Sequence, residues 1–168
     1  MELREQQAPI KEGYLEDPES AKVALTARGS QAGEAVSCSV DLGRMVQKAQ
    51  AHEGVGGPGT GACSGDLLLG ALAACAQVTS QMVAANTGID AKIEVVAEGV
   101  VDLRGTLGVD REAPVGFESI NLRFEIDAPD ASAEELESLH AKSERYCTVL
   151  QTLLDAPKIE SKLVATGG

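Results

Sequence analysis

The chain has 168 residues and a hydrophobic fraction of 43%, the size and make-up of one folded domain, so neither a two-domain protein nor a disordered chain fits. Fourteen Lys and Arg stand against 26 Asp and Glu, a formal charge of −12 that argues against nucleic acid, whose binding needs clustered cations. The aromatic residues are Phe117, Phe124, Tyr14 and Tyr146, too few for a base-stacking platform, so the core must be built from Ala, Val, Leu and Ile.

Residues 1–20 are polar, hold Pro9 and Pro18, and show no hydrophobic period. They read as a flexible or surface-hugging arm ahead of a single domain over 21–168. Nothing in them forms the apolar segment of a secretory leader. The longest apolar run, Leu67 to Ala76, falls well short of the ~18 residues that a membrane span needs. Four Cys without such a leader point to the reducing cytoplasm, where thiols are more often catalytic or ligating than stapling.

Ala21–Ala27 predicts a short strand, with Val23 and Leu25 on one face. Val36, Cys38, Val40 and Leu42 then alternate with Ser37, Ser39 and Asp41, the period of a half-buried strand, and Gly29 to Gly33 suits the turn between the two. Arg44–Gln50 reads as a short helix or an irregular strand. After it comes a glycine-rich loop, HEGVGGPGTGACSGD, that leads into a helix from about Ser64 to Asn86. Ser64 is the expected N-cap, Asp66 complements the helix dipole, and Gly88 terminates the helix. Between Leu67 and Ala76 this helix is apolar all round, which predicts burial on every side and, for so short a chain, a homodimer.

Strands follow over Ala91–Arg104, where Ile93, Val95, Ala97, Val101 and Leu103 share a face, and over Ile120–Asp127. Ser132 and Glu135 form a capping box that opens a helix to about Glu144. Tyr146–Leu154 reads as a second helical piece stopped before Pro157, and Ile159–Ala165 as a final strand. Clean alternation implies antiparallel sheet with one wet face, so the fold class is α+β.

The cysteines carry the chemistry. Cys38 falls on a strand's apolar face and reads as a small core hydrophobe. Cys63 lies in the glycine-rich loop, Cys75 in the most buried helix, and Cys147 at the start of the late helical piece. No C-x-x-C is present, so neither a thioredoxin-type dithiol nor a zinc ribbon is supported, and four zinc ligands at suitable spacing are lacking. The loop has glycines but no G-K-[ST] ending, so it is a poor phosphate loop. His52 and His140 stand in no nucleophile motif. On composition alone Cys75 reads as a packed core thiol.

Read together, the segments say more. SGDLLLGALAACAQVTSQMVAANTGI, preceded by GGPGTGACS, resembles the central helix of the OsmC/Ohr family of osmotically induced and organic-hydroperoxide-resistance proteins. HAKSERYCTVLQTLL is similar to that family's second cysteine helix. The resemblance runs from about residue 21 to the end. It implies antiparallel sheets wrapping two long central helices in an intertwined homodimer. The implied activity is thiol-dependent reduction of organic hydroperoxides, with Cys75 as the attacking thiol, Cys147 as the resolving one, and a lipoyl or other dithiol as reductant. No metal or cofactor is implied.

The family also uses an Arg paired with a Glu to favour the thiolate, because burial alone favours the neutral thiol. Arg28 is the best positional match for that Arg and Arg44 the second. The Glu position is Gly65 here, with Asp66 beside it, and the Pro that follows the family's second Cys is Thr148. The leading reading is therefore a two-cysteine hydroperoxide reductase of a divergent branch. The alternatives are a small-molecule-binding protein that keeps the pocket without the peroxidase, and a different thiol enzyme with Cys75 as nucleophile.

Overall fold

The computed structural model describes residues 3–31, 36–43 and 45–165. Two antiparallel sheets and one long helix organise it. Strands β1 (Arg28–Gln31), β2 (Ser37–Asp41) and β3 (Val46–Gln50) form the first sheet in that order. Strands β4 (Lys92–Val101) and β5 (Phe117–Asp127) form the second. The α+β class expected from the alternation is what the chain adopts.

The 24-residue helix α2 (Ser64–Thr87) lies against the second sheet. Its N-cap is Cys63, one residue earlier than the sequence suggests: the Cys63 N–H donates to the Asp66 carboxylate at 2.8 Å, closing a capping box. That bond holds the Asp66 carboxyl below its ordinary range. Gly88 ends the helix as expected, in the left-handed region at φ +75°, with the Ile89 N–H returning to the Ala84 carbonyl.

The β4–β5 pair turns its alternating apolar face to α2. Val95 pairs with Phe124, Ala97 with Leu122 and Ile93 with Ile126, so each rung sends two apolar side chains to the same side. They meet Leu72, Ala76, Val83 and Ala84. Gly99 makes room for the Phe117 ring, which a Cβ there would meet at 2.5 Å. A short helix, α3 (Leu103–Thr106), opens the crossing from β4 to β5; the sequence reading ran the strand on to Arg104, but β4 ends at Val101.

Helix α4 (Ala133–Tyr146) opens with the Ser132–Glu135 capping box that its sequence announces. It crosses α2 closely because small residues face it: Ser80 and Ser143 are fully buried and turn their hydroxyls back to the carbonyls of Ala76 and Leu139. Helix α5 (Thr148–Leu154) follows after the single residue Cys147.

Three further expectations are corrected. Residues 22–27 are unpaired and exposed; the strand begins only at Arg28, since Val23 and Leu25 find no apolar partner among the described residues. The final strand over Ile159–Ala165 does not form within the chain, where Ile159 is 83% and Leu163 91% exposed and no sheet edge takes them. The arm at the start hugs the surface as a helix, α1 (Leu3–Glu16), despite Pro9 inside it. Gln7 fastens it to the far end of α2, donating to the Met82 sulfur at 3.8 Å and accepting from the Asn86 amide at 3.1 Å. That anchoring is tertiary, so no hydrophobic period records it.

Finally, α2 is not buried on every side. Leu72, Ala76, Thr79, Ser80, Val83 and Ala84 face the core, while Ala71, Ala74, Val78, Gln81 and Ala85 form an opposite, exposed stripe. By length and mean hydropathy, 1.6, α2 would pass for a membrane span, yet β4, α4 and α5 pack along it. One chain covers one side of it.

Candidate functional site: a buried thiol pair

Cys75 and Cys147 come together. Cys147 is wholly buried in the cluster of Leu72 and Ala76, and half-buried Cys75 packs against that cluster with Val149 and Leu150. The two thiols are neighbours in that cluster, close enough for Cys75 to perturb the titration of Cys147. Sequence separation says nothing of this; the meeting depends on α4 returning across α2 and on the break between α4 and α5. At that break the Cys147 N–H still bonds the Ser143 carbonyl at 3.1 Å, while the Cys147 carbonyl already starts α5 by accepting from Gln151 at 2.9 Å.

Burial pushes the Cys147 thiol above its ordinary range, and the adjacent Cys75 sulfur pushes it further; the N–H groups of Leu150 and Val149 pull the other way without prevailing. Cys147 thus holds its proton more firmly than an ordinary thiol. The folded state binds that proton more tightly than the unfolded chain does. The resulting stability is fully present below the ordinary thiol value of 9.0 and is lost as pH rises through it toward the raised value. Thermal unfolding of reduced protein from neutral pH to about pH 10 should show this alkaline decline. Cys147→Ala should flatten it. An unaltered decline in that variant would assign it to other groups.

The remaining sequence candidates lie elsewhere. Arg28 is exposed on β1, opposite Asp41 in register, and β1 packs chiefly on β2. Within one chain the structure does not bring it to the thiols. Arg44 lies outside the described residues. A Cβ on Gly65 would stand 3.5 Å from the Phe117 ring and 3.4 Å from the Cys63 sulfur, in ordinary contact with both. Asp66 does not replace that glutamate, because its carboxylate is spent on the Cys63 N–H.

Cys38 is half-buried and lines an open groove of about 460 Å³ between the first sheet and the start of α2, together with Ala49, Gln50 and Ser64. Cys38 pairs with Ala49 on one side of β3 while Cys63 bridges Gln50 on the other. Two strand spacings put those thiols' backbones roughly 10 Å apart, beyond disulfide reach. His52 caps a 3₁₀ turn, accepting from the Gly54 N–H at 3.0 Å. His140 meets the Phe124 ring edge-on at 4.8 Å. Among the described residues no cluster of His, Cys, Asp and Glu is arranged to hold a metal ion.

A two-layer α+β domain whose long central helix presents one cysteine to another at a helix junction is the class of protein that this fold and site define. Residues 57–162, well over half of the chain, match the model of the OsmC-like proteins, and the chain belongs to that family. Solved structures carry the same fold. An OsmC-like protein from Mycoplasma pneumoniae superposes with a TM-score of 0.62 at 23% identity, over 80% of this chain and 89% of that one. An organic hydroperoxide resistance protein from Elizabethkingia anophelis gives 0.59 at 16%, over 80% and 91%. One from Legionella pneumophila gives 0.58 at 15%, over 79% and 90%. No curated protein matches the chain at a significant level.

Proposed function

We propose that the protein is a cytoplasmic two-cysteine reductase of organic hydroperoxides that works as a homodimer. The observation that carries this reading is the contact between Cys75 and fully buried Cys147. The Cys75 thiolate attacks the terminal oxygen of R–O–O–H. The O–O bond breaks, an S–O bond forms, and the alkoxide leaves to be protonated to the alcohol, which leaves a sulfenic acid on Cys75. The Cys147 thiol then attacks that sulfur, the S–S bond forms, and water departs. A dithiol of the lipoyl type reduces the disulfide by exchange. The surroundings of the pair are apolar, with Val95, Ala97, Leu122 and Phe124 nearby, which favours alkyl hydroperoxides over hydrogen peroxide.

The exposed stripe of α2 takes a second copy of the chain, and Arg28 reaches the thiolate from that copy's first sheet. Family names give the reading its chemistry: two of the structural relatives above are called organic hydroperoxide resistance proteins. Stoichiometric cumene hydroperoxide added to reduced protein should remove two free thiols, mapped to Cys75 and Cys147. The alternative is a small-molecule-binding protein without peroxidase activity, which the glycine at position 65, where the resemblance expects the family's glutamate, would suit. Four thiols surviving stoichiometric peroxide would establish that alternative.

A further inference from the structure

Thr79 is out of step with its neighbours on α2. Ser80 and Thr87 return their hydroxyls to the carbonyls one turn back, Ala76 and Val83, at 2.8 Å each. That is the usual way for a helix to satisfy a buried hydroxyl. Thr79 is only 4% exposed, and among the described residues its hydroxyl has no hydrogen-bond partner. No side-chain oxygen or nitrogen among them is sealed off without a partner either, so the Thr79 oxygen must open onto a gap at the margin of the core. A hydroxyl at such a margin has its bond completed by whatever reaches it there, a water or a polar atom of a ligand.

The place of this hydroxyl is specific. Thr79 is four residues beyond Cys75, about 40° away around the helix and one turn along it, on the flank where half-buried Cys75 meets the core. Cβ atoms at this spacing are about 5–6 Å apart. A sulfur poised about 3 Å from a peroxide's terminal oxygen, with a donor about 2.8 Å from the other oxygen, needs a separation of that order.

Resting on the peroxidase reading above, we propose that the Thr79 hydroxyl binds the alkyl-bearing oxygen of the hydroperoxide and steadies it as it leaves. As the Cys75 sulfur attacks the terminal oxygen and the O–O bond opens, negative charge collects on the alkyl-bearing oxygen. Thr79 donates a hydrogen bond to that charge and keeps its own proton; water supplies the proton that completes the alcohol. Donors aimed at where charge develops in a transition state contribute more to rate than to ground-state affinity. Thr79 is therefore expected to act on kcat rather than on KM.

The test is Thr79→Val, which keeps the shape and removes the hydroxyl, with Thr79→Ser as the restoring variant. Cumene hydroperoxide turnover with a dithiol reductant is measured beside melting temperature and the rate of Cys75 alkylation by iodoacetamide. The expected result is a fall of ten-fold or more in kcat for Thr79→Val, near-native turnover for Thr79→Ser, an unchanged alkylation rate, and a melting temperature at or above that of the parent. Should Thr79→Val not fold, Thr79→Ala carries the same expectation. Parent-like turnover in the valine or alanine variant overturns the role of Thr79 and leaves the peroxidase reading intact. A parent protein that turns over no peroxide overturns both.

Discussion

Replacing Cys75 with serine removes peroxide turnover, a fall of at least about a hundred-fold, because the covalent route needs a thiolate and serine offers none at neutral pH. Cys147→Ser gives a different signature. Cys75 still attacks the peroxide once, but no neighbouring thiol remains to displace water from the sulfenic acid. The protein then stalls after one equivalent or climbs to the sulfinic acid under excess peroxide. Peptide mass spectrometry after titration distinguishes the two. A Cys75→Ser variant that still consumes peroxide at the parent's rate would remove Cys75 from the mechanism. A Cys147→Ser variant that cycles normally would place the resolving thiol elsewhere, and Cys38 and Cys63 are the thiols that remain. Arg28→Ala should slow Cys75 alkylation by roughly ten-fold if that guanidinium favours the thiolate.

The second large effect concerns assembly. Ala74 sits in the middle of the bare stripe of α2, between Ala71 and Val78, and Val78 is 52% exposed in the single chain. If a second copy covers that stripe, Ala74→Asp forces a carboxylate into each half of an apolar interface. Desolvating an unpaired charge there costs several kcal/mol per copy, enough to dissociate the pair or to send the chain into aggregates. Light scattering at micromolar concentration should give the parent a mass near twice 17.4 kDa, and the variant 17.4 kDa or an insoluble product. A parent mass near 17.4 kDa would refute the homodimer. A variant that stays dimeric would move the interface to another face.

Local patterning made most of the elements legible. The two-residue period over Ile120–Ile126 and over Ile93–Ala97 specifies strands because one sheet face is wet. The Ser132–Glu135 box and Gly88 mark helix ends because unpaired backbone groups there need partners close in sequence. The run from Leu67 to Ala76 locates the central helix, but composition alone left Cys75 a packed core thiol. Where the expectations missed, the deciding energy came from contacts far apart in the chain. Helix α1 is tied to the far end of α2 through Gln7, which meets Met82 and Asn86. The segments 22–27 and 159–165 carry strand-like apolar positions that find no neighbour within one chain.

The site divides the same way. Sequence alone set the acidic charge, the cysteine count and the placing of Cys75 on the central helix. By resemblance it also put Gly65 at the position expected for the family's glutamate. Only the tertiary structure decided that Cys147 meets Cys75, that the Phe117 ring stands beside Gly65, that Asp66 is committed to a helix cap, and that the Thr79 hydroxyl finds no partner among the described residues. The physical reason is common to all four. Caps and periods are settled within a turn or a strand of sequence, whereas a thiol's partner and a hydroxyl's missing bond are set by which helix crosses which, and at what depth.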